Sequence, residues 1–124
     1  MTESRQASQP IGHIFEVYEL LMRFGVGRKY QGFDQCAHAV YLSAEQPERL
    51  TLVTKWLYPD VAKQFGVSWT VIERNLRTVS RIAWENNRPL LEQLAGRVLS
   101  AIPTSTEFVK ILAYHFLSNG NKAA

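Results

Sequence analysis

A single cysteine, Cys36, stands among the 124 residues. One thiol closes no internal disulfide, which excludes a disulfide-stapled secreted scaffold and fits a reducing compartment; the expected location is the cytoplasm. Long apolar runs are also missing. No stretch approaches the roughly 20 apolar residues of a membrane span. Residues 1–10 carry Glu3 and Arg5 and lack the apolar centre of a signal peptide. Histidine is scarce: His13, His38 and His115 are widely separated, with no His-x3-His or zinc-type Cys-His spacing, so no metal is expected. Gly25-Val26-Gly27 neither follows a strand nor continues into a phosphate loop, and no other cofactor motif is visible. Cys36 falls on the apolar face of its segment, which suits a buried structural thiol better than a nucleophile. No acid–base pair offers itself either, so an enzyme is not expected.

Apolar residues make up 46% of the composition, enough for one packed domain and too many for a disordered chain. The net charge is only +3, but it is unevenly placed. Between Arg49 and Arg81 stand Arg49, Lys55, Lys63, Arg74, Arg77 and Arg81 against only Asp60 and Glu73, and the rest of the chain is slightly acidic. One segment therefore holds the positive charge, as expected where a single surface meets a polyanion.

Periodicity throughout is helical. Ser8 and Pro10 suit the start of a first helix with apolar residues at Ile11, Ile14, Phe15, Tyr18, Leu21 and Met22, stopped by Gly25 and Gly27. A second helix is expected over Tyr30–Ser43, with Phe33, Cys36, Ala37, Val40 and Tyr41 inward and Gly32 weakening its start. Leu50–Leu57 reads as a short helix and Pro59 opens the next, which Gly66 ends. Ser68 is placed to cap the longest helix, through Trp84, with Trp56 and Trp84 in the core. Asn86, Asn87 and Pro89 separate it from a short helix at Leu90–Leu94, closed by Gly96. Thr104 and Glu107 form a capping box that satisfies two amides of the last helix, whose face is Phe108, Ile111, Leu112, His115 and Phe116. The expected architecture is all-α, a compact domain of six or seven helices: residues 1–10 a flexible lead-in, 11–119 the domain, and 120–124 a tail.

Val61 to Ile72 has the spacing of a helix-turn-helix, placed at about residues 58–85. Ala62 is small where two helices cross, Gly66 supplies the left-handed turn, Val67 fills the angle and Ile72 anchors the second helix. At about 100° per residue, Trp69, Ile72, Leu76, Val79 and Ala83 form one stripe; Trp69, at its border, is suited either to the core or to a DNA backbone. Thr70, Arg74, Arg77 and Arg81 form the opposite stripe, with Glu73 on its edge. Burial of the apolar stripe, worth roughly 1.5–3 kcal/mol per large side chain, turns the arginines outward. Duplex DNA matches that chemistry: arginine donates two bonds to guanine, and glutamate accepts from cytosine. Lys55, Lys63, Ser68 and Thr70 are placed to hold phosphates.

The run Leu57-Tyr58-Pro59-Asp60-Val61-Ala62-Lys63-Gln64-Phe65, then Ile72-Glu73-Arg74, Leu76-Arg77 and Ala83-Trp84, resembles the effector domain of the master sporulation response regulator of endospore-forming bacteria. Pro103 to Phe108 is similar to the segment opening that domain's last helix, and the likeness runs from about His13 to Asn119. The resemblance implies a six-helix fold that binds a short promoter box, often as tandem copies, and activates or represses transcription. It implies base contacts for Glu73, Arg74 and Arg77; Arg81 is assigned to a phosphate from its place on the stripe alone.

Three departures stand beside the likeness. Only residues 1–10 precede the first helix where the family's regulators carry a receiver domain, so receiver phosphorylation is not the expected switch. Val71 stands where the family's best-known member is expected to carry a basic residue, so one backbone contact is expected to be missing. Glu85 to Gly96 is shorter and differently charged than the family's polymerase-contacting region. The expected function is sequence-specific binding of double-stranded DNA. RNA polymerase is a further candidate partner, as is a second copy met through the last helix or on tandem boxes. The alternative is a protein-interaction module, or an antagonist that occupies promoters without activating them.

Overall fold

The computed structural model describes residues 14–123 and contains no strand among them. Ser8, Pro10 and Ile11, expected to open the first helix, lie outside the described residues. Helix α1 spans Phe15–Arg23, α2 Gln31–Glu45, α3 Val53–Trp56, α4 Tyr58–Phe65, α5 Trp69–Ala95 and α6 Ser105–Ala123. Leu50–Leu57 is not one helix. A 3-10 segment, Pro47–Thr51, comes first, followed by the single turn of α3. Pro47 starts that segment, where its missing N–H leaves no bond unmade.

Helix α2 is the centre of the domain, packed against α1, α4, α5 and α6. Its expected inner face is buried at Phe33, Cys36, Ala37 and Val40, with Tyr41 half-buried, but burial extends to Ala39, Ala44, Gln35 and Ser43. Small residues let neighbours approach from several sides. Gly32 belongs to that set and is a packing requirement rather than a weak point: a β-carbon there would lie 2.7 Å from Val79 Cγ2 and 2.8 Å from the Asn75 carbonyl oxygen on α5.

The expected break after Trp84 is real, although backbone hydrogen bonding runs through it. Asn87 leaves the helical region at φ −153° and ψ 59°. Its side chain holds both sides of the break, accepting from the Leu90 amide at 3.3 Å and donating to the Arg23 carbonyl of α1 at 3.2 Å. Past the left-handed Gly96, the loop is clasped back onto α5. Glu92 accepts from the Leu99 amide at 2.8 Å and from Arg88 at 3.1 Å, and Arg88 also donates to the Leu99 carbonyl. The Leu99 amide, ahead of Arg88, holds the Glu92 carboxyl below its ordinary range.

Several side chains lie elsewhere than expected. Trp56 is not core: it is 51% exposed, with the Lys55 ammonium 5.0 Å above its ring. Trp84 does pack against the core but is only half-buried, with the Arg88 guanidinium 4.2 Å from its ring. The capping box is half made. Thr104 Oγ1 accepts from the Glu107 amide, but the Glu107 carboxylate turns to Arg97 at 2.8 Å. In α6, Phe108, Ile111, Leu112, Ala113 and Phe116 are buried, leaving Tyr114 as the large exposed ring.

Cys36 is fully buried, and desolvation pushes its thiol up to about 12. A thiol-exchange reagent at pH 8 is therefore expected to leave the native protein unlabelled and to label it stoichiometrically once denatured, because the thiolate is the reactive species. Rapid labelling of the native chain would overturn this reading.

Candidate nucleic-acid interface

The residues 57–85 fold into two helices joined by a tight turn. Tyr58-Pro59 opens α4, with proline in the first turn. Gly66 ends it in the left-handed region at φ 67° and ψ 34°. The Val67 amide then donates to the Ala62 carbonyl at 3.0 Å and the Gly66 amide to Lys63 at 3.4 Å, closing the helix end on itself. A side chain at position 66 would meet no neighbour, so the demand for glycine is one of backbone conformation. Val67 does not fill the angle between the helices; it is 37% exposed. Val61, Ala62 and Ile72 are buried where α4 and α5 pack.

Ser68 holds the expected cap position, but its hydroxyl pairs with Thr70 Oγ1 at 2.9 Å and not with a backbone amide. Trp69 leaves the apolar stripe and is 42% exposed. From Ile72 onward the stripe is as expected: Ile72, Leu76, Val79 and Ala83 are fully buried. Three polar contacts then fix the rotation of the helix. Asn75 donates to Gln35 of α2 at 2.8 Å, and Ser80 to the Pro103 carbonyl at 2.8 Å. On the side facing α6, Ser105 donates to Glu73 at 3.3 Å. A polar side chain buried without a partner costs about 1–3 kcal/mol, so these bonds strongly disfavour any other rotation of α5.

The opposite side of α5 exposes Thr70, Arg74, Arg77 and Arg81. The three arginines, with Thr78, border an open groove of about 370 Å³ whose far wall is Ile102, Pro103 and Thr104. One of them has a partner at the edge of the stripe. Arg77 donates to Glu73 Oε1 at 2.5 Å across one helical turn. With Arg77's side chain 61% exposed, such a pair is worth only about 0.3–0.5 kcal/mol, less than one hydrogen bond to a charged group. An anion or a base edge displaces it readily. Arg74 and Arg81 make no ion pair among the described residues. The segment's other carboxylate, Asp60, pairs with Arg49, which also donates to the Trp56 carbonyl and to Gln46. Both acidic residues of the segment are thereby matched internally, and the excess positive charge resides on Lys55, Lys63, Arg74 and Arg81. Lys63 is exposed in the last turn of α4, just ahead of the Gly66 turn. Lys55 lies on α3, a separate element.

The family comparison fits this arrangement. Residues 17–116 match the family described as sporulation initiation factor Spo0A C terminal, which is most of the chain. The chain belongs to that family. The Spo0A C-terminal domain is the DNA-binding effector part of a sporulation regulator, so this chain is a DNA-binding, transcription-regulating domain. No helix among the described residues is long and apolar enough to cross a membrane.

Within this Spo0A C-terminal domain, the polar residues that aim the exposed row, Gln35, Asn75, Ser80 and Ser105, carry no motif of their own in the sequence. A signal was present in part. Asn75 and Ser80 flank the apolar stripe of α5 at positions 72, 76, 79 and 83, where a polar side chain must find a partner. The identity of each partner depends on which helix packs there, and that is not a local property of α5.

Proposed function

We propose that this chain is a sequence-specific transcriptional regulator whose residues 11–119 form one DNA-binding domain, with α4 and α5 as a helix-turn-helix at about 58–85. The first part of α5, about 68–85, enters the major groove. One observation carries the reading: directly after a left-handed glycine turn, α5 buries Ile72, Leu76, Val79 and Ala83 and holds Arg74, Arg77 and Arg81 outward along a groove. Arg74 and Arg77 donate to guanine O6 and N7, and Glu73 accepts from the cytosine amino group. Ser68 and Thr70, at the helix start with its free amides, hold a phosphate, while Lys63, Arg81 and Lys55 supply charge along the backbone. Since α6 buries most of its apolar arc, a second copy is better accommodated on tandem boxes than through that helix.

Selection of bound duplexes from a random pool yields the box, and two variants then test the docking. Arg77→Ala is expected to cost about 1–3 kcal/mol on the selected box and to relax preference at one base pair. Lys63→Ala is expected to weaken all duplexes alike and to flatten the logarithmic salt dependence by about one. Wild-type affinity and salt slope in both variants would overturn the docking.

A second reading, a protein-interaction module or an antagonist that occupies promoters, is favoured by two exposed apolar side chains in the segment between α5 and α6: Ile102, 41% exposed on the wall of the arginine groove, and Val98, 82% exposed. Each offers apolar surface to a partner such as RNA polymerase. A promoter-reporter assay separates an activator, which raises expression from the selected box, from an antagonist, which lowers it.

A further inference from the structure

We infer that Ser105, backed by Tyr58, is a positioning residue that holds the Glu73 carboxylate for base readout. This rests on the reading of α5 as the helix that meets bases. Ser105 is buried at the first residue of α6, and its hydroxyl carries one proton, which goes to Glu73 Oε2 at 3.3 Å. A serine that donates there can only accept from Tyr58, whose Oη lies 2.8 Å away. Tyr58 has then used its own proton, so the Thr106 hydroxyl, 3.3 Å from the same Oη, donates to it. Counting protons fixes the direction of the whole chain: Thr106 to Tyr58 to Ser105 to Glu73. Every hydroxyl in it turns its positive end towards the carboxylate, and hydrogen bonds aligned in one sense strengthen one another.

Glu73 is thus held from two sides that differ in kind. Oε1 accepts from Arg77, an exposed side chain on the same helix; Oε2 accepts from a buried hydroxyl fixed on α6 and backed by α4. When Arg77 turns to a guanine, the first bond is lost. Without the second, the long glutamate side chain would be free to rotate, and its readout would blur. With Ser105 in place, Oε1 is uncovered in a set position as a cytosine amino group arrives. The serine touches no base itself; it acts through Glu73.

The test titrates wild type, Ser105→Ala, Tyr58→Phe, Glu73→Ala and the double variant Glu73→Ala/Ser105→Ala against the selected box and against boxes changed one base pair at a time. Ser105→Ala is expected to reduce discrimination at the base pair read by Glu73 by roughly 5–10-fold and to leave the other positions unchanged. Tyr58→Phe keeps the buried ring and loses only the hydroxyl, so it remains a valid probe even if Ser105→Ala fails to fold; it is expected to reduce the same discrimination by roughly 2–3-fold. In the Glu73→Ala background, Ser105→Ala is expected to have no further effect on discrimination. A uniform loss at every position, or the same loss with and without Glu73, would assign Ser105 to stability alone and overturn the inference. If Glu73→Ala itself leaves every position as in wild type, the fault lies in the underlying reading of α5, and the inference falls with it.

Discussion

Leu76→Ala is expected to destabilise the domain by about 2–5 kcal/mol, because truncating a buried leucine forfeits both its transfer from water and the packing of the cavity left behind. Leu76 is fully buried at the middle of the α5 stripe, between Ile72 and Val79. A domain of this size should then melt about 10 °C or more below wild type. Binding should respond differently. Below the melting transition α5 is still held by Asn75 on Gln35 and Ser80 on Pro103, so affinity for the selected box is expected to change no more than a few-fold. Arg77→Ala should give the opposite pattern, since its exposed pair with Glu73 adds only about 0.3–0.5 kcal/mol to stability. Thermal unfolding and duplex titration of both variants check the separation of the two faces. A Leu76→Ala protein as stable as wild type would sink it.

Gly32→Ala is expected to be destabilising although alanine is the better helix former. The propensity gain is at most about 1 kcal/mol, and Gly32 is in the first turn of α2, where it counts least. Against it stands an added β-carbon 2.8 Å from a backbone oxygen of α5 and 2.7 Å from Val79. A side chain can rotate away from such a contact; the Asn75 carbonyl, fixed in its helix, cannot. Overpacking of this kind costs about 1–3 kcal/mol, so the clash outweighs the propensity. Relief requires α5 to move off α2, and Arg74 lies one residue before Asn75, so this variant should lose DNA affinity as well as stability. The check is a denaturant midpoint at unchanged slope together with a binding titration. A Gly32→Ala protein more stable than wild type would show that the interface yields without strain.

The candidate interface was largely legible because it depends on local rules. A left-handed turn needs Gly66, and a 3.6-residue period puts Ile72, Leu76 and Val79 opposite Arg74, Arg77 and Arg81. The break at Asn87 was legible for the same reason, since asparagine caps and proline lacks an amide. Trp56 and Val67 were misplaced, and Trp69 was left open, because hydrophobicity states a preference for burial without saying whether the neighbouring surface has room. At Trp56 a short turn after the 3-10 segment faces solvent, and the Lys55 ammonium over the ring makes that position tolerable. The single turn α3 was read as part of a longer helix because Leu50–Leu57 carries no proline or glycine to announce the change of pitch.

The amino-acid order alone determined an all-helical chain, the position of its sharp turn and the side of α5 that carries guanidinium groups, since each follows from backbone preference and spacing within a few residues. Tertiary structure alone decided how that side is aimed: Gln35 meeting Asn75, Pro103 meeting Ser80, and Tyr58 meeting Ser105 and through it Glu73. Those pairs join positions 23 to 47 residues apart. No local rule pairs residues that distant, and they are neighbours only because the burial of α2 brings α4, α5 and α6 around it.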